Sequence, residues 1–249
     1  MVKQIGRSAL PAIQNCATTI LLQLIDEPIL RNSMNLTRPN TSHLYLECFV
    51  LFVGLPLAIY SVEGAKLIHL TLWIISLSCC FYLLKQPGFD KSQLINMEAV
   101  TLSALRPILL RFMLVAPAIV AFTYYYHHER LFSLVNTQPL VWLLIILLYP
   151  ILSVYPQELL YRLYFFTRYR PIFQPPWLMI TVNSLLFGYA HIVFNNWISV
   201  TFTFAGGIMF AYTYHRHRSL LLASIEHALY GCFVFTIGLG WFFYHAAER

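Results

Sequence analysis

Long runs of apolar residues separated by short polar stretches dominate the chain from residue 44 onward. A run of about 20 apolar residues is long enough to cross a lipid bilayer as a helix. The runs are continuous rather than alternating in polarity, which disfavours the strands of a transmembrane β-barrel. The pattern predicts an all-α, polytopic transmembrane helical bundle of seven to eight spans. The seven clear spans are about 44–62, 67–84, 107–126, 140–166, 177–194, 197–214 and 220–244, and a weakly apolar stretch at 10–25 is either an interfacial helix or the eighth span.

The same pattern divides the chain into two parts. Residues 1–43 are mixed and polar, with no short apolar core followed by a cleavage site, so they predict a cytoplasmic or interfacial segment rather than a signal peptide. Residues 44–249 form the predicted transmembrane domain. Pro150 and Pro156 lie inside its fourth span and predict a break or a kink there. The backbone groups freed at such a break must face protein or a wet cavity rather than lipid.

Composition and charge restrict the class of protein further. Hydrophobic residues make up 59% of the chain and charged residues only 10%, against roughly a quarter charged in a soluble domain; the high hydrophobicity also excludes a disordered chain. The net charge of +6 is better explained by cytoplasmic loops rich in Lys and Arg than by a nucleic-acid partner. With a cytoplasmic amino terminus, twelve Lys and Arg residues, Arg111 among them, lie on or next to the cytoplasmic side. Lys66, Arg130 and Arg249 fall outside, and Arg162 lies within an apolar run. We therefore expect an integral membrane protein with a cytoplasmic amino terminus, with lipid as its surroundings and no nucleic-acid partner. The membrane that we expect is the bacterial cytoplasmic membrane.

Two further sets of residues are interpreted as structural. The five tryptophans, Trp73 among them, lie mostly near predicted span ends, as interfacial anchors do. Gly206 and Gly207 lie within the sixth span and favour close packing of helices.

Five ionisable residues stand inside the later spans: Glu158, Arg162, His191, Glu226 and His227. A charge at mid-depth in a bilayer costs at least about 2.5–3.5 kcal/mol, so such groups are retained when they pair or have a function. Glu158 and Arg162 are four residues apart and share a helix face, which is compatible with a structural ion pair or with a site. A lone membrane histidine is more often a hydrogen-bonded core residue than a ligand.

The depth of these groups favours a shared site. At about 1.5 Å of rise per residue from the predicted cytoplasmic ends of their helices, Glu158, His191 and His227 all fall towards the middle of the bilayer. An acid and two imidazoles at one depth can hold a water molecule, or a metal ion with its water. Either arrangement can activate that water for hydrolysis.

Three short motifs contain these residues, each in a different predicted span. In each motif two conspicuous residues are four apart and therefore lie on one helix face. The motifs are Gln157-Glu158-x-x-x-Arg162, Phe187-x-x-x-His191 and His227-x-x-x-Gly231.

In these motifs the sequence resembles the CPBP family, also called the Abi family, which comprises CAAX proteases and bacteriocin-processing enzymes. Its members carry Glu-Glu-x-x-x-Arg, Phe-x-x-x-His and His-x-x-x-Asn on separate membrane helices. The resemblance covers about residues 140–240, which would be the protease core. It implies an intramembrane endopeptidase that hydrolyses a peptide bond in a peptide or membrane-protein substrate, by a glutamic-type or a metallo-type mechanism.

The resemblance also implies roles for individual residues. In the family the first Glu and the two His residues surround a catalytic water, one His and the Asn stabilise the oxyanion, and the second Glu pairs with the Arg. The implied site residues here are Glu158, His191, His227, Gln157 and Arg162. In a metallo-site, Glu158, His191 and His227 would bind zinc; in a glutamic-type site there is no cofactor.

The chain departs from the family pattern at two positions. Gln157 stands where the family has the Glu credited as the base, and a neutral amide cannot take a proton at pH 7. Gly231 stands where an Asn would donate to the oxyanion, and the loss of one such donor typically costs about 2.7–4 kcal/mol. Glu158 turned inward, or Glu226, are alternative bases, and a backbone N–H near Gly231 is an alternative donor.

These departures leave a second hypothesis open. The chain is then a catalytically inactive membrane binding or immunity protein of the same family, gripping a peptide or a lipid-modified tail. A transporter is the weaker alternative, because internal repeats and paired broken helices would favour it, and the sequence shows no repeat and one predicted break.

Overall fold

A computed structural model of the chain describes residues 41–62 and 68–244, and every regular element within them is helical. The predicted helix at 10–25 and the segment 1–40 lie outside the described residues. From Leu44 onward the described residues belong to one compact unit. The helices are α1 (Ser42–Ser61), α2 (Ile68–Leu84), α3 (Leu102–Tyr126), α4 (Ser133–Thr137), α5 (Pro139–Arg168), α6 (Pro176–Ala190), α7 (Trp197–His217) and α8 (Leu220–Thr236), with 3₁₀ turns at Lys91–Gln93, His128–Arg130, His191–Phe194 and Leu239–Phe243.

Each of the seven predicted spans overlaps one of these helices, although α8 ends at Thr236 rather than at the predicted 244. The all-α class is confirmed for the described residues. Four stretches within the described residues are long and apolar enough to cross a membrane: α1, α3, α5, and α6 with its 3₁₀ extension. Helices α2 and α8 are apolar but shorter. The architecture is that of a membrane helical bundle, whereas a count of seven to eight spans stays a prediction.

Two short connections place α6, α7 and α8 side by side. Asn195 adopts a left-handed conformation (φ 53°), and the side chain of Asn196 then caps α7 by accepting from the Ser199 amide at 2.8 Å. Arg218 is left-handed as well (φ 49°), and Ser219 caps α8. Helices joined by so few residues lie antiparallel to their neighbours. Phe187 of α6 also contacts His227 of α8, which brings the second and third motifs together.

Helices α6 and α7 approach closely because glycines face the contact. A Cβ on Gly188 would lie 2.9 Å from Phe204 Cβ, and one on Gly207 would lie 3.2 Å from Ser184 Cα. The predicted packing role of Gly207 is therefore confirmed. Gly206 differs, since a Cβ there would meet the Phe210 ring of its own helix at 3.0 Å.

Helix α5 runs through both of its prolines as one continuous helix, so of the predicted break or kink the break is wrong. Two π-helical turns, Pro150–Val154 and Leu159–Tyr164, replace it. A π turn widens the helix and absorbs the steric and hydrogen-bonding mismatch that a proline causes, and such turns are frequent at functional sites. An unbroken helix matters for the site because it fixes the directions in which the side chains before and after Pro156 point.

Neighbouring helices satisfy the carbonyls that lose their usual partner four residues before each proline. The Trp73 indole N–H of α2 donates to the Leu152 carbonyl at 2.9 Å, and the Cys232 thiol of α8 lies 3.9 Å from the Ile146 carbonyl. Freed backbone groups thus face protein, as the bilayer requires. The interpretation of Trp73 as an interfacial anchor misses this bond.

The cytoplasmic end predicted for α5 is tied to α1 through one carboxylate. Glu47 accepts from Arg168 Nε at 3.0 Å and Nη2 at 2.7 Å, and from the hydroxyls of Tyr164 at 2.7 Å and Tyr169 at 3.1 Å. A two-pronged arginine contact of this kind fixes direction as well as distance. It holds α5, which carries the first motif, against the amino-terminal span.

Candidate active site

Glu158 lies on α5 immediately before the second π-helical turn and is fully buried. Its Oε1 lies 2.8 Å from His227 Nδ1, and its Oε2 lies 3.2 Å from Arg162 Nε. The ion pair predicted from the spacing of Glu158 and Arg162 is therefore present. The structure adds that the same carboxylate reaches across to α8 and binds an imidazole.

The hydrogen bond to Glu158 fixes the orientation of His227. A carboxylate beside Arg162 accepts, so His227 donates through Nδ1–H, and in the neutral imidazole this leaves Nε2 with a lone pair. Nε2 lies 3.3 Å from the Tyr149 hydroxyl. The ring also stacks on Phe210, with centroids 4.6 Å apart and 13° between the planes. Glu158 and the Phe210 ring thus fix the orientation of the His227 imidazole, and its Nε2 points towards Tyr149.

Arg162 is a fully buried cation. Its guanidinium carbon lies 4.6 Å from the centroid of the Phe187 ring, within the range of a cation–π contact. An uncompensated buried charge costs several kcal/mol, so Glu158 and Arg162 depend on each other. Arg162 therefore contacts the second motif directly, through the ring of Phe187.

His191 follows α6 and begins a 3₁₀ turn. Its Nδ1–H donates to the Phe187 carbonyl at 2.8 Å, which again leaves Nε2 with the lone pair in the neutral ring. The Phe187 ring lies between the two imidazoles, with centroids 5.0 Å from His191 and 5.6 Å from His227. Asn183, on the same stripe, donates instead to the Tyr161 carbonyl at 2.6 Å and supports the π-helical turn of α5.

Gln157 lies at the wall of a cavity next to this cluster. Its Nε2 donates to Ser153 Oγ at 2.8 Å, while its Oε1 is buried without a protein partner among the described residues. A buried acceptor of this kind normally binds something, and water is the simplest ligand. Gln157 and Glu158 therefore differ in direction: the amide faces the cavity, and the carboxylate binds His227.

The cavity has a volume of about 1020 Å³, at the upper end of the range for ligand pockets. Apolar side chains from α1, α2, α3, α5, α6, α7 and α8 form most of its wall. Both predicted histidines reach it. Its polar lining includes Tyr149, Ser153, Gln157, His191 and His227.

Glu226, the other carboxylate considered as a base, binds an arginine from a different helix. Arg111 of α3 donates to Glu226 Oε1 through Nη2 at 2.7 Å and Nε at 3.1 Å, and its Nη2 also donates to Thr213 at 2.8 Å. Sequence reasoning missed Arg111 by assigning it to the cytoplasmic boundary. Its place ten residues into a long apolar helix was the available signal. Tyr149 was missed as well, and the sequence offers no signal for it.

The described residues do not fit the predicted zinc site. No three His, Cys, Asp or Glu side chains among residues 41–62 and 68–244 lie close enough together to hold a metal ion. Zinc sites in proteins need at least three such ligands. In addition, Oε1 of Glu158 is occupied by His227, and Oε2 faces Arg162.

Residues 138–233 match the model of a family described as type II CAAX prenyl endopeptidase Rce1-like. The matched segment contains all three motifs, from α5 into α8. The resemblance to CAAX proteases seen in the sequence is thereby confirmed over this segment, which is similar to a family of peptidases. No curated protein and no solved structure matches the chain.

Proposed function

We propose that the protein is an intramembrane endopeptidase in which Glu158 and His227 together activate a water molecule. The observation that carries this proposal is the hydrogen bond of 2.8 Å from His227 Nδ1 to Glu158, on an imidazole that reaches a cavity. The carboxylate orients the ring and stabilises its protonated form. A histidine held in this way can take a proton through Nε2.

The chemistry follows from these positions. His227 Nε2 takes a proton from water as the water oxygen attacks the scissile carbonyl carbon, and the carbonyl electron pair moves to oxygen. When the tetrahedral intermediate collapses, the C–N bond breaks, and the imidazolium gives its proton to the leaving amine. The products are a carboxylate and an amine, and Glu158 remains the counter-charge throughout.

The remaining site residues have supporting roles in this proposal. The Oε1 of Gln157, which is buried and has no partner within residues 41–62 and 68–244, accepts a hydrogen bond from the water and orients it. His191, with Nδ1 engaged by the Phe187 carbonyl, offers its Nε2 to the substrate peptide or to the water. Arg162 holds Glu158 in place.

The substrate proposed is a peptide carrying a prenyl chain near its carboxy terminus. The family description names prenyl CAAX endopeptidases, and a large cavity walled mainly by apolar side chains suits a lipid chain beside a peptide. Cleavage at a hydrophobic site inside the bilayer also requires a substrate that partitions there.

A direct test uses the purified protein in lipid vesicles with a prenylated CAAX peptide and its non-prenylated twin, with mass spectrometry of the released fragment. We expect cleavage of the prenylated peptide, and a loss of about 10²–10⁴-fold in kcat for His227→Ala, the range that general acid–base catalysis contributes. His128→Ala, at an exposed histidine, is the matched control. Full activity in His227→Ala would overturn the assigned base.

Gln157→Glu separates this mechanism from the one that the family resemblance implies. If His227 is the base, a new carboxylate at position 157 leaves kcat within about tenfold of the wild type. A gain of about 10²–10⁴-fold would mean that the missing carboxylate, rather than His227, is the natural base.

The geometry disfavours a zinc mechanism, and metal content tests this independently. We expect less than one zinc per chain by elemental analysis of protein purified without chelator, and unchanged cleavage after dialysis against chelator. Stoichiometric zinc that is lost together with activity would contradict the mechanism proposed here.

An inactive binding protein remains the second candidate because Gln157 is neutral and hydrogen-bonded to Ser153 on the cavity wall. Under that hypothesis the prenylated peptide binds but is not cleaved, and Glu158→Gln leaves its affinity unchanged. Binding without cleavage by the wild type, measured on the same vesicles, would favour this candidate over the peptidase.

A further inference from the structure

One tyrosine occupies space that a side chain at position 231 would otherwise fill. A Cβ added to Gly231 would lie 2.5 Å from the Tyr149 hydroxyl oxygen and 2.7 Å from its Cζ. Real Cβ atoms do not approach other atoms so closely, so the Tyr149 ring requires glycine here. The two residues lie on α5 and α8 and act as one packed unit.

The Tyr149 hydroxyl lies beside the base that the proposed function uses. It is 3.3 Å from His227 Nε2, and its ring packs edge-on against Phe235 with centroids 5.3 Å apart. Tyr149 lines the cavity together with His227. A phenol so placed donates to Nε2 while no substrate is bound, and its O–H can rotate towards any acceptor that enters the cavity.

We propose that Tyr149 supplies the hydrogen bond that stabilises the oxyanion, and that Gly231 is the residue that makes room for it. This inference rests on the proposed function. It also explains how the chain does without an amide donor at position 231, since the phenol fills the place in which that side chain would lie.

Atoms and protons balance in the proposed step. Water loses a proton to His227 Nε2 and its oxygen bonds to the carbonyl carbon, while the carbonyl oxygen gains the electron pair. Tyr149 O–H donates to that oxygen without transferring its proton. The hydrogen bond to His227 Nε2 is given up at this point, so the lone pair of the base becomes available as the oxyanion donor moves into place.

Tyr149→Phe removes only the hydroxyl and is the primary test. We expect kcat for the prenylated peptide to fall by about 10²–10³-fold with KM nearly unchanged, as for the loss of one oxyanion donor. Tyr155→Phe is the matched control, because this half-buried tyrosine lies on the same helix as Tyr149 and is not part of the cavity wall. An unchanged kcat in Tyr149→Phe, or an equal loss in Tyr155→Phe, would overturn the inference.

A swap tests the spatial part of the proposal. Gly231→Asn alone should abolish activity because the new side chain collides with the Tyr149 ring. Tyr149→Ala combined with Gly231→Asn opens that space and supplies an amide donor, so kcat should recover at least tenfold relative to Tyr149→Ala. No recovery, with melting temperatures showing that the double variant is folded, would contradict the exchange of one donor for the other.

The outcomes separate this inference from the proposed function. Wild-type activity in Tyr149→Phe together with an inactive His227→Ala overturns the role of Tyr149 and leaves the peptidase standing. Absence of cleavage by the wild type overturns both.

Discussion

Two fully buried carboxylates lie near His227: Glu158 contacts it across two helices, and Glu226 precedes it in the chain. The two differ in their hydrogen-bond partners. Glu158 pairs with Arg162 on its own helix at 3.2 Å and accepts from His227 across to α8 at 2.8 Å. Glu226, the sequence neighbour of His227, pairs with Arg111 of α3 at 2.7 Å. Both are acids beside arginines inside a membrane protein. Of the two, only Glu158 accepts a hydrogen bond from an imidazole that lines the cavity. On this difference we propose a catalytic role for Glu158 and a structural role for Glu226.

The Glu226 pair has the geometry of a helix connector. Arg111 makes two hydrogen bonds to the carboxylate and a third to Thr213, which joins α3 to both α7 and α8. Apolar helices gain little from association in lipid, so polar contacts of this kind fix which faces meet. Burial and an ion pair are common to Glu158 and Glu226, so neither property alone identifies a catalytic carboxylate.

The largest effect should follow from exchanging Glu158 for its amide. In Glu158→Gln the carboxylate that fixes the His227 tautomer and stabilises the imidazolium is replaced by a neutral amide. We therefore expect kcat per folded molecule to fall by about 10²–10⁴-fold. Glu226→Gln is the matched variant on α8 and should keep kcat within about tenfold of the wild type, since it does not touch the imidazole. Equal losses in the two variants, measured on the prenylated peptide, would erase the distinction between the carboxylates.

The Arg111–Glu226 pair should affect stability rather than kcat, the opposite of what we expect for Glu158. Arg111→Ala leaves Glu226 buried without its partner, and breaking a buried pair costs about 3–5 kcal/mol, less here because Arg111 is 28% exposed. We expect a lower midpoint of unfolding in detergent and a nearly unchanged kcat in the folded fraction. Arg111→Ala combined with Glu226→Leu should recover part of the lost stability. A loss of activity without loss of stability would place Arg111 in the chemistry instead.

A smaller effect is expected at the helix that carries Glu158. Trp73→Phe keeps an aromatic ring but removes the N–H that satisfies the Leu152 carbonyl, so the free energy of unfolding should fall by about 1–3 kcal/mol. Trp177→Phe, at a tryptophan that is 66% exposed, is the control and should change stability little. If both variants unfold at the same midpoint as the wild type, the bond to α5 contributes nothing.

Much of this arrangement was predictable from spacing. The lengths of the apolar runs predicted the helices. The four-residue spacing correctly predicted that Glu158 shares a helix face with Arg162, and Phe187 with His191. The continuity of α5 was not predictable, because a proline signals a mismatch in the helix without saying whether a break or a π turn resolves it. The same uncertainty hid the direction of Glu158 relative to Gln157.

Other parts depend on contacts between distant helices, which one sequence does not encode locally. Tyr149 is one of 16 tyrosines, and nothing in its neighbours indicates that it packs across Gly231. The place of Arg111 in an apolar helix signals a charge that needs a partner, but that partner, Glu226, lies 115 positions away and no local pattern identifies it. Imidazoles are rare within apolar runs, so the sequence indicates both histidines, whereas the hydrogen-bond partners of these rings depend on how the helices pack.

Rescue of the His227→Ala variant by added imidazole tests the central claim most directly. The substitution leaves a gap beside Glu158 into which free imidazole fits, with the carboxylate still present to orient it. We predict that cleavage of the prenylated peptide falls by about 10²–10⁴-fold in His227→Ala and rises in proportion to imidazole concentration, with no rise in Glu158→Gln/His227→Ala. Undiminished cleavage by His227→Ala without imidazole, or the same rescue in the double variant, would contradict the Glu158–His227 mechanism.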